Sequence, residues 1–188
     1  MPASTDLLTI PYTVSHRDVK HPRLEFRTGT LLVVLPYGQN EVRMLEKHRL
    51  WIERKHRYIH EVLAEASHLK LVSRTPDEFR MLINYLTETF SKDIGRVPNR
   101  IFVKKMRTKW ASLSKKGNLT VNSQAKYLPE PLIEYILFHE MVHMINPKHD
   151  TLFWKYIEAN FKGIPEIEKS LCSYWFQIER INNSNDFE

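Results

Sequence analysis

The chain has a single cysteine, Cys172, so no disulfide can form within it. That cysteine reads as a small hydrophobe on a helix. No run approaches the roughly 18 consecutive apolar residues of a membrane-crossing helix, so no membrane association is expected. The N-terminus shows no basic stretch followed by an apolar one, so a cytoplasmic protein is expected. No glycine-rich Walker loop occurs, which excludes a P-loop nucleotidase. Repeats, low-complexity segments and zinc-finger spacings are also absent. One further absence is local: between Asp93 and Glu130 there is no acidic residue.

That acid-free stretch holds nine cations: Arg96, Arg100, Lys104, Lys105, Arg107, Lys109, Lys115, Lys116 and Lys126. Removing those nine from the 28 basic residues leaves 19 against 22 acidic, so the rest of the chain is slightly negative. A concentrated excess points to an anionic partner better than an evenly spread one. Weak nucleic-acid contact through segment 96–126 is one expectation, and a solvated, lysine-protected sheet edge is the plainer one.

At 188 residues, 42% of them hydrophobic, the chain is long enough to bury its own core. A single domain over 1–188 is expected, with a hairpin and long helix at about 12–70 and a metal-binding core at about 75–180. Arg23–Phe26 and Thr30–Leu35 read as strands joined by a turn at Thr28-Gly29, with Pro36 ending the second. Asn40 is the expected cap of a helix running to about His68, with Val42, Leu45, Ile52, Ile59 and Leu63 on its apolar stripe and Trp51 beside them. Thr75-Pro76-Asp77-Glu78 starts a second helix, which Gly95 and Pro98 close. Ile101–Lys104 and Leu119–Val121 read as strands around the polar turn 114–118. Pro129-Glu130-Pro131 opens a helix so apolar that burial on most sides is expected, and Pro147 is the expected stop. Two helices should follow, near 150–161 and 165–180, before a polar tail at 182–186 where order should be lost. The order β-β-α-α-β-β-α-α-α predicts an α+β fold.

The apolar helix contains His139-Glu140-Met141-Val142-His143, an H-E-x-x-H pattern. Residues four apart on a helix share one face, so both imidazoles can reach one ion. Glu140, turned by about 100°, stands beside that ion as a general base for a bound water. With nine histidines and 16 glutamates, composition alone yields the pattern in roughly 4 chains of 100. Context tips the balance, because ionisable groups on a buried helix are costly unless paired or metal-bound. His149, just beyond Pro147, supplies a third imidazole, and three ligands with an open position are the catalytic zinc arrangement. Its rival is Glu158, while Asp150 reads as a neighbour or cap. Zinc is the expected metal, although three imidazoles also accept Ni2+, Co2+ or Mn2+. His56 and His60 share the spacing but lack the glutamate and sit among Arg54, Lys55 and Arg57, which reads as wet surface.

Met106–Trp110, Gly117–Asn122, the H-E-x-x-H pattern, His149 and Phe153-Trp154 together resemble the YgjP-like metallopeptidase family, a relative of SprT-like and other zincin-type proteases. Two departures are Trp110-Ala111-Ser112-Leu113, where the family has Trp-Gly-Ser-Cys, and Lys148-His149-Asp150, where it has Asn-His-Ser. The resemblance implies a zincin-like fold, a small antiparallel or mixed sheet on helices with the motif helix buried. It also implies a zinc-dependent peptidase with ligands His139, His143 and His149 and base Glu140. By analogy, strand 119–122 would pair with an extended substrate. Arg107, Lys109, Asn122 and Tyr127 are candidate substrate contacts, the oxyanion donor among them. Two alternatives follow from the same resemblance: a UTP-type nucleoside triphosphate pyrophosphatase, and a SprT-like protease acting on nucleic-acid-bound proteins.

Overall fold

The computed structural model describes residues 10–27 and 30–185. The chain divides into two units, Met1–His68 and Leu69–Glu188. In the first, strands β1 (Tyr12–Arg17), β2 (Arg23–Arg27) and β3 (Thr30–Pro36) precede helix α1 (Val42–Ala66). Strand β3 is central, parallel to β1 and antiparallel to β2. Its Leu31, Val33 and Leu35 are buried with Leu45 and Ile52 of α1. The expected turn at Thr28-Gly29 lies outside the described residues. Strand β1 was not foreseen, because its mostly exposed residues show no apolar alternation.

Two details of α1 correct the expectation. The cap residue is Glu41 rather than Asn40, and it makes no side-chain capping bond. Val62, not Leu63, completes the buried set with Leu45, Ile52 and Ile59, while Val42 is exposed. Trp51 does pack on this side, 6.0 Å from the ring of Phe26.

The second unit begins with α2 (Pro76–Ile94). Thr75 accepts from the Glu78 amide while the Glu78 carboxylate accepts from the Thr75 amide, a complete capping box. Gly95 ends the helix at φ 70°, a conformation that glycine adopts without a side-chain penalty. Then come β4 (Arg100–Lys104), β5 (Ala111–Leu113), β6 (Asn118–Asn122), a 3-10 turn, and helices α3 (Glu130–Val142), α4 (Thr151–Asn160) and α5 (Ile164–Asn185). Helix α5 runs to Asn185, into the polar stretch 182–186 where order was expected to fail, and Asp186 lies outside the described residues. No helix among the described residues is long and apolar enough to cross a membrane.

The architecture is α+β, with two small mixed sheets and not one. In the second sheet β6 lies between β4, parallel, and β5, antiparallel. Strand β6 is therefore paired on both sides and cannot receive a substrate as expected. The edges of this sheet are β4 and β5, and β5 is too short to be read from sequence. Phe79 and Ile83 of α2, Leu119 and Val121 of β6, Leu137 and Phe138 of α3 and Phe153 of α4 share one core.

Asn122 was expected to touch substrate but is fully buried. Its Oδ1 accepts from the amides of Met106 (3.3 Å) and Gln124 (3.1 Å), and its Nδ2 donates to the carbonyls of Met106 (3.0 Å) and Lys109 (2.9 Å). It thus fastens the segment before β5 to the end of β6. Asn122→Ala should lower the unfolding free energy by about 1–3 kcal/mol, the usual cost of buried groups left unpaired. Urea denaturation checks this, and an unchanged midpoint would contradict the fastening role.

Candidate metal centre

Helix α3 sets two of the three histidines. Eight of its 13 residues are buried, which leaves His139 and Glu140 half-buried along one flank. The helix ends at Val142 and not near Pro147, because amides 144 and 145 bond back three residues to Met141 and Val142 and tighten the turn. His143 is the C-cap, yet its φ −62° and ψ −15° remain helical. The four-residue spacing of the two imidazoles therefore survives.

His149 returns to them through a clamped loop. Asn146, 7% exposed, donates from Nδ2 to Asp150 Oδ1 (2.7 Å) and accepts the Lys148 amide at Oδ1 (3.2 Å). Asp150 caps α4 by accepting from the amides of Leu152 (3.0 Å) and Phe153 (3.1 Å). The Phe153 amide and then Asn146 hold the Asp150 carboxyl below its ordinary pKa. His149 is thus trapped between a buried asparagine and a helix start.

The three imidazoles converge. His139 Nε2 lies 3.0 Å from His149 Nε2, and one ring nitrogen from each of His139, His143 and His149 lies within 4.8 Å of the others. Nitrogens sharing a tetrahedral ion at ordinary Zn–N lengths sit about 3.3 Å apart, so the closest pair fits such an ion. Phe153, fully buried, contacts all three rings at centroid distances of 4.9, 4.7 and 4.6 Å, and Trp154 flanks His149 at 6.0 Å. Among the described residues this is the only cluster of three or more such groups; exposed Glu158 is not in it. His56 and His60 approach to 3.0 Å on α1, but no third group joins them.

The donor set suits a cation. His143 Nδ1 faces the Asn146 carbonyl at 3.1 Å, so it carries the proton and leaves Nε2 a free lone pair. Burial, then the neighbouring His143 and His149, push the pKa of His139 down to about 4. His139 is therefore neutral at pH 7, and its buried Nδ1 has no hydrogen-bond partner. A neutral, largely buried His139 beside two further imidazoles offers nitrogen lone pairs that suit a bound cation.

Glu140 stands at the wall of a cleft of about 590 Å3. Its Oε2 accepts from the Leu113 amide of β5 at 2.8 Å. The Ser114 amide and the Trp110 carbonyl face β6, at 2.9 and 2.7 Å, so by alternation the groups of Ala111 and Leu113 face outward. Residues 109–115 line the cleft together with Tyr135, His139 and Glu140. Of the four expected substrate contacts, Lys109 alone lines it. Arg107 is exposed elsewhere, and the half-buried Tyr127 carries Lys126 over its ring at 4.8 Å. One contact has no sequence signature: the Tyr135 hydroxyl donates to Glu168 at 2.5 Å, both residues lining this cleft. That bond and burial raise the tyrosine pKa, burial contributing most.

The chain belongs to the YgjP-like metallopeptidase domain family, whose sequence model matches residues 70–174. It is accordingly a metal-dependent hydrolase of the peptidase class, with a peptide or protein as substrate. Among solved structures it is similar to the metallopeptidase zymogen abylysin of Pyrococcus abyssi, with 26% identity and a TM-score of 0.44 over 47% of this chain and 90% of that one. It is similar also to the zymogen jannalysin of Methanocaldococcus jannaschii, with 25% identity and a TM-score of 0.44 over 47% and 92%. No curated protein matches.

Two outcomes follow from the geometry. His139 titrates near 6.5 when unfolded and near 4 when folded, so the unfolded state binds the proton first. The stability of the metal-free protein should be whole above pH 6.5 and fall as pH drops towards 4, and His139→Gln should flatten that slope in chemical denaturation. Asn146→Ala should weaken zinc binding about tenfold or more by releasing the loop that carries His149, measured by competition with a chromophoric chelator.

Proposed function

We propose that the chain is a zinc-dependent peptidase in which His139, His143 and His149 hold the metal and Glu140 is the general base. The observation that carries this is the convergence of three imidazole nitrogens within 4.8 Å beside a carboxylate tied to a free strand edge. When bound, the metal supplies Lewis acidity, which acidifies a water and polarises a carbonyl. Every other part falls to side chains and backbone of the chain itself.

Glu140 accepts the proton of the attacking water and returns it to the leaving amine. Its bond to the Leu113 amide fixes one carboxylate oxygen and leaves the other for that transfer. The outward amide and carbonyl of Ala111 and the carbonyl of Leu113, whose amide Glu140 already holds, receive an extended peptide as an added strand beside the base. Lys109, which also lines the cleft, is the candidate to stabilise the oxyanion. The pyrophosphatase and nucleic-acid alternatives gain no support from the family match.

Glu140→Gln should retain stoichiometric metal and lose about 10²–10⁴-fold in turnover, since the amide keeps the shape but cannot take a proton. Metal analysis beside a peptide-cleavage assay checks it; full activity in that variant would sink the base assignment.

A further inference from the structure

The cleft does not end at the histidines. A second cavity of about 580 Å3 shares Leu113, Ser114, Lys115, His143 and Pro147 with the first, so the two form one trough running past His143. The extension is lined by Arg96, Lys115 and Lys116 and by no carboxylate. The first cavity carries the carboxylates of Glu140 and Glu168 together with Lys109 and the shared Lys115, so the extension is the part of the trough whose charged lining is cationic alone.

The two lysines sit on a braced turn between β5 and β6. The Gly117 amide donates to the Ser114 carbonyl (2.8 Å), and the Ser114 amide donates to the Asn118 carbonyl (2.9 Å). Asn99 grips the same turn from outside, its amide donating to the Gly117 carbonyl (2.8 Å) and its Nδ2 to the Lys116 carbonyl (2.6 Å). Gly117 has φ +71°, and a Cβ there would lie 3.3 Å from Asn99 Nδ2, so the turn requires glycine. Among the described residues no ion pair engages Arg96, Lys115 or Lys116. Three unpaired cations on a fixed backbone beside a catalytic cleft repel one another and favour an anionic occupant.

We propose that this extension is a specificity subsite for acidic side chains of the peptide substrate; the inference rests on the peptidase reading above. The outward edge of β5 leads directly into the lysine turn. An extended peptide laid along Ala111 and Leu113 advances about 3.3 Å per residue, with alternate side chains on one face. A residue two or three positions from the scissile bond, on the side running past Leu113, therefore arrives among Arg96, Lys115 and Lys116. Aspartate or glutamate there meets three cations. The remainder of the trough holds the Glu168 carboxylate and no comparable group of cations, so the preference is one-sided.

The test uses the full-length zinc-loaded protein and a peptide library in which Asp and Glu are exchanged for Asn and Gln at each position. The expected result is a loss of about tenfold in kcat/KM on neutralising an acidic residue two or three positions to one side of the cut. The loss should shrink as salt is raised. In the Lys115→Glu, Lys116→Glu double variant the preference should invert towards lysine-bearing peptides, and Arg96→Gln should weaken it without inversion. Cleavage indifferent to acidic residues would overturn the subsite while leaving the peptidase reading intact. A library left uncut, with pyrophosphate released from nucleoside triphosphates, would overturn both and assign the cations to polyphosphate.

Discussion

The metal centre depends on a side chain that touches no metal. His139 and His143 are set by a helix, and a helix fixes their spacing without further help. His149 follows a turn and a proline, and nothing in the local backbone compels it to come back. What returns it is buried Asn146, whose amide is shared between the Lys148 backbone and the Asp150 carboxylate. The same residue's carbonyl accepts from His143 Nδ1 and so selects that ring's tautomer. One asparagine thereby governs the position of one imidazole and the protonation of another. The cost of burying it unpaired makes the arrangement close to all-or-none.

A second constraint joins sheet to helix. Strand β5 is three residues long and would be marginal alone, but its outward Leu113 amide is met by the Glu140 carboxylate. Strand and helix are thus held at one separation by a charged hydrogen bond, stronger than a neutral one. Asn122 secures the other end by fastening residues 106–109 to the last residue of β6. The cleft wall is thus fixed at both ends, so under the proposed reading Glu140 and the strand edge need no rearrangement to act together.

What could be read from sequence was what local chemistry determines. The capping box at Thr75–Glu78, the apolar helix over 130–142 and the histidine spacing each need only a few neighbouring residues to express themselves. Strands β1 and β5 were missed for opposite reasons: the first is too exposed to show alternation, the second too short. Asn40 misled because a good capping residue lies one position before the true cap. Asn122 was misplaced because burial of a polar residue depends on partners 13 and 16 positions away. The Tyr135–Glu168 bond spans 33 positions and leaves no pattern. Asn146 did leave one: asparagine, then proline, then aspartate four residues on, directly after an apolar helix, is the outline of a capped return.

Charge completes the account. Segment 96–126 appears uniformly basic in sequence, but the fold disperses it. Arg107 lies away from the cleft and Lys126 over Tyr127, while Lys109 joins the catalytic wall and Arg96, Lys115 and Lys116 gather beyond His143. A divalent ion gains nothing from such neighbours, so in the proposed centre its retention rests on direct ligation by the histidines. Neutrality is what burial imposes on His139. In that reading the cations act on the substrate and the imidazoles on the metal. Direct ligation and local charge thus serve different ligands within one trough, and the turn held by Asn99 fixes where the cations stand.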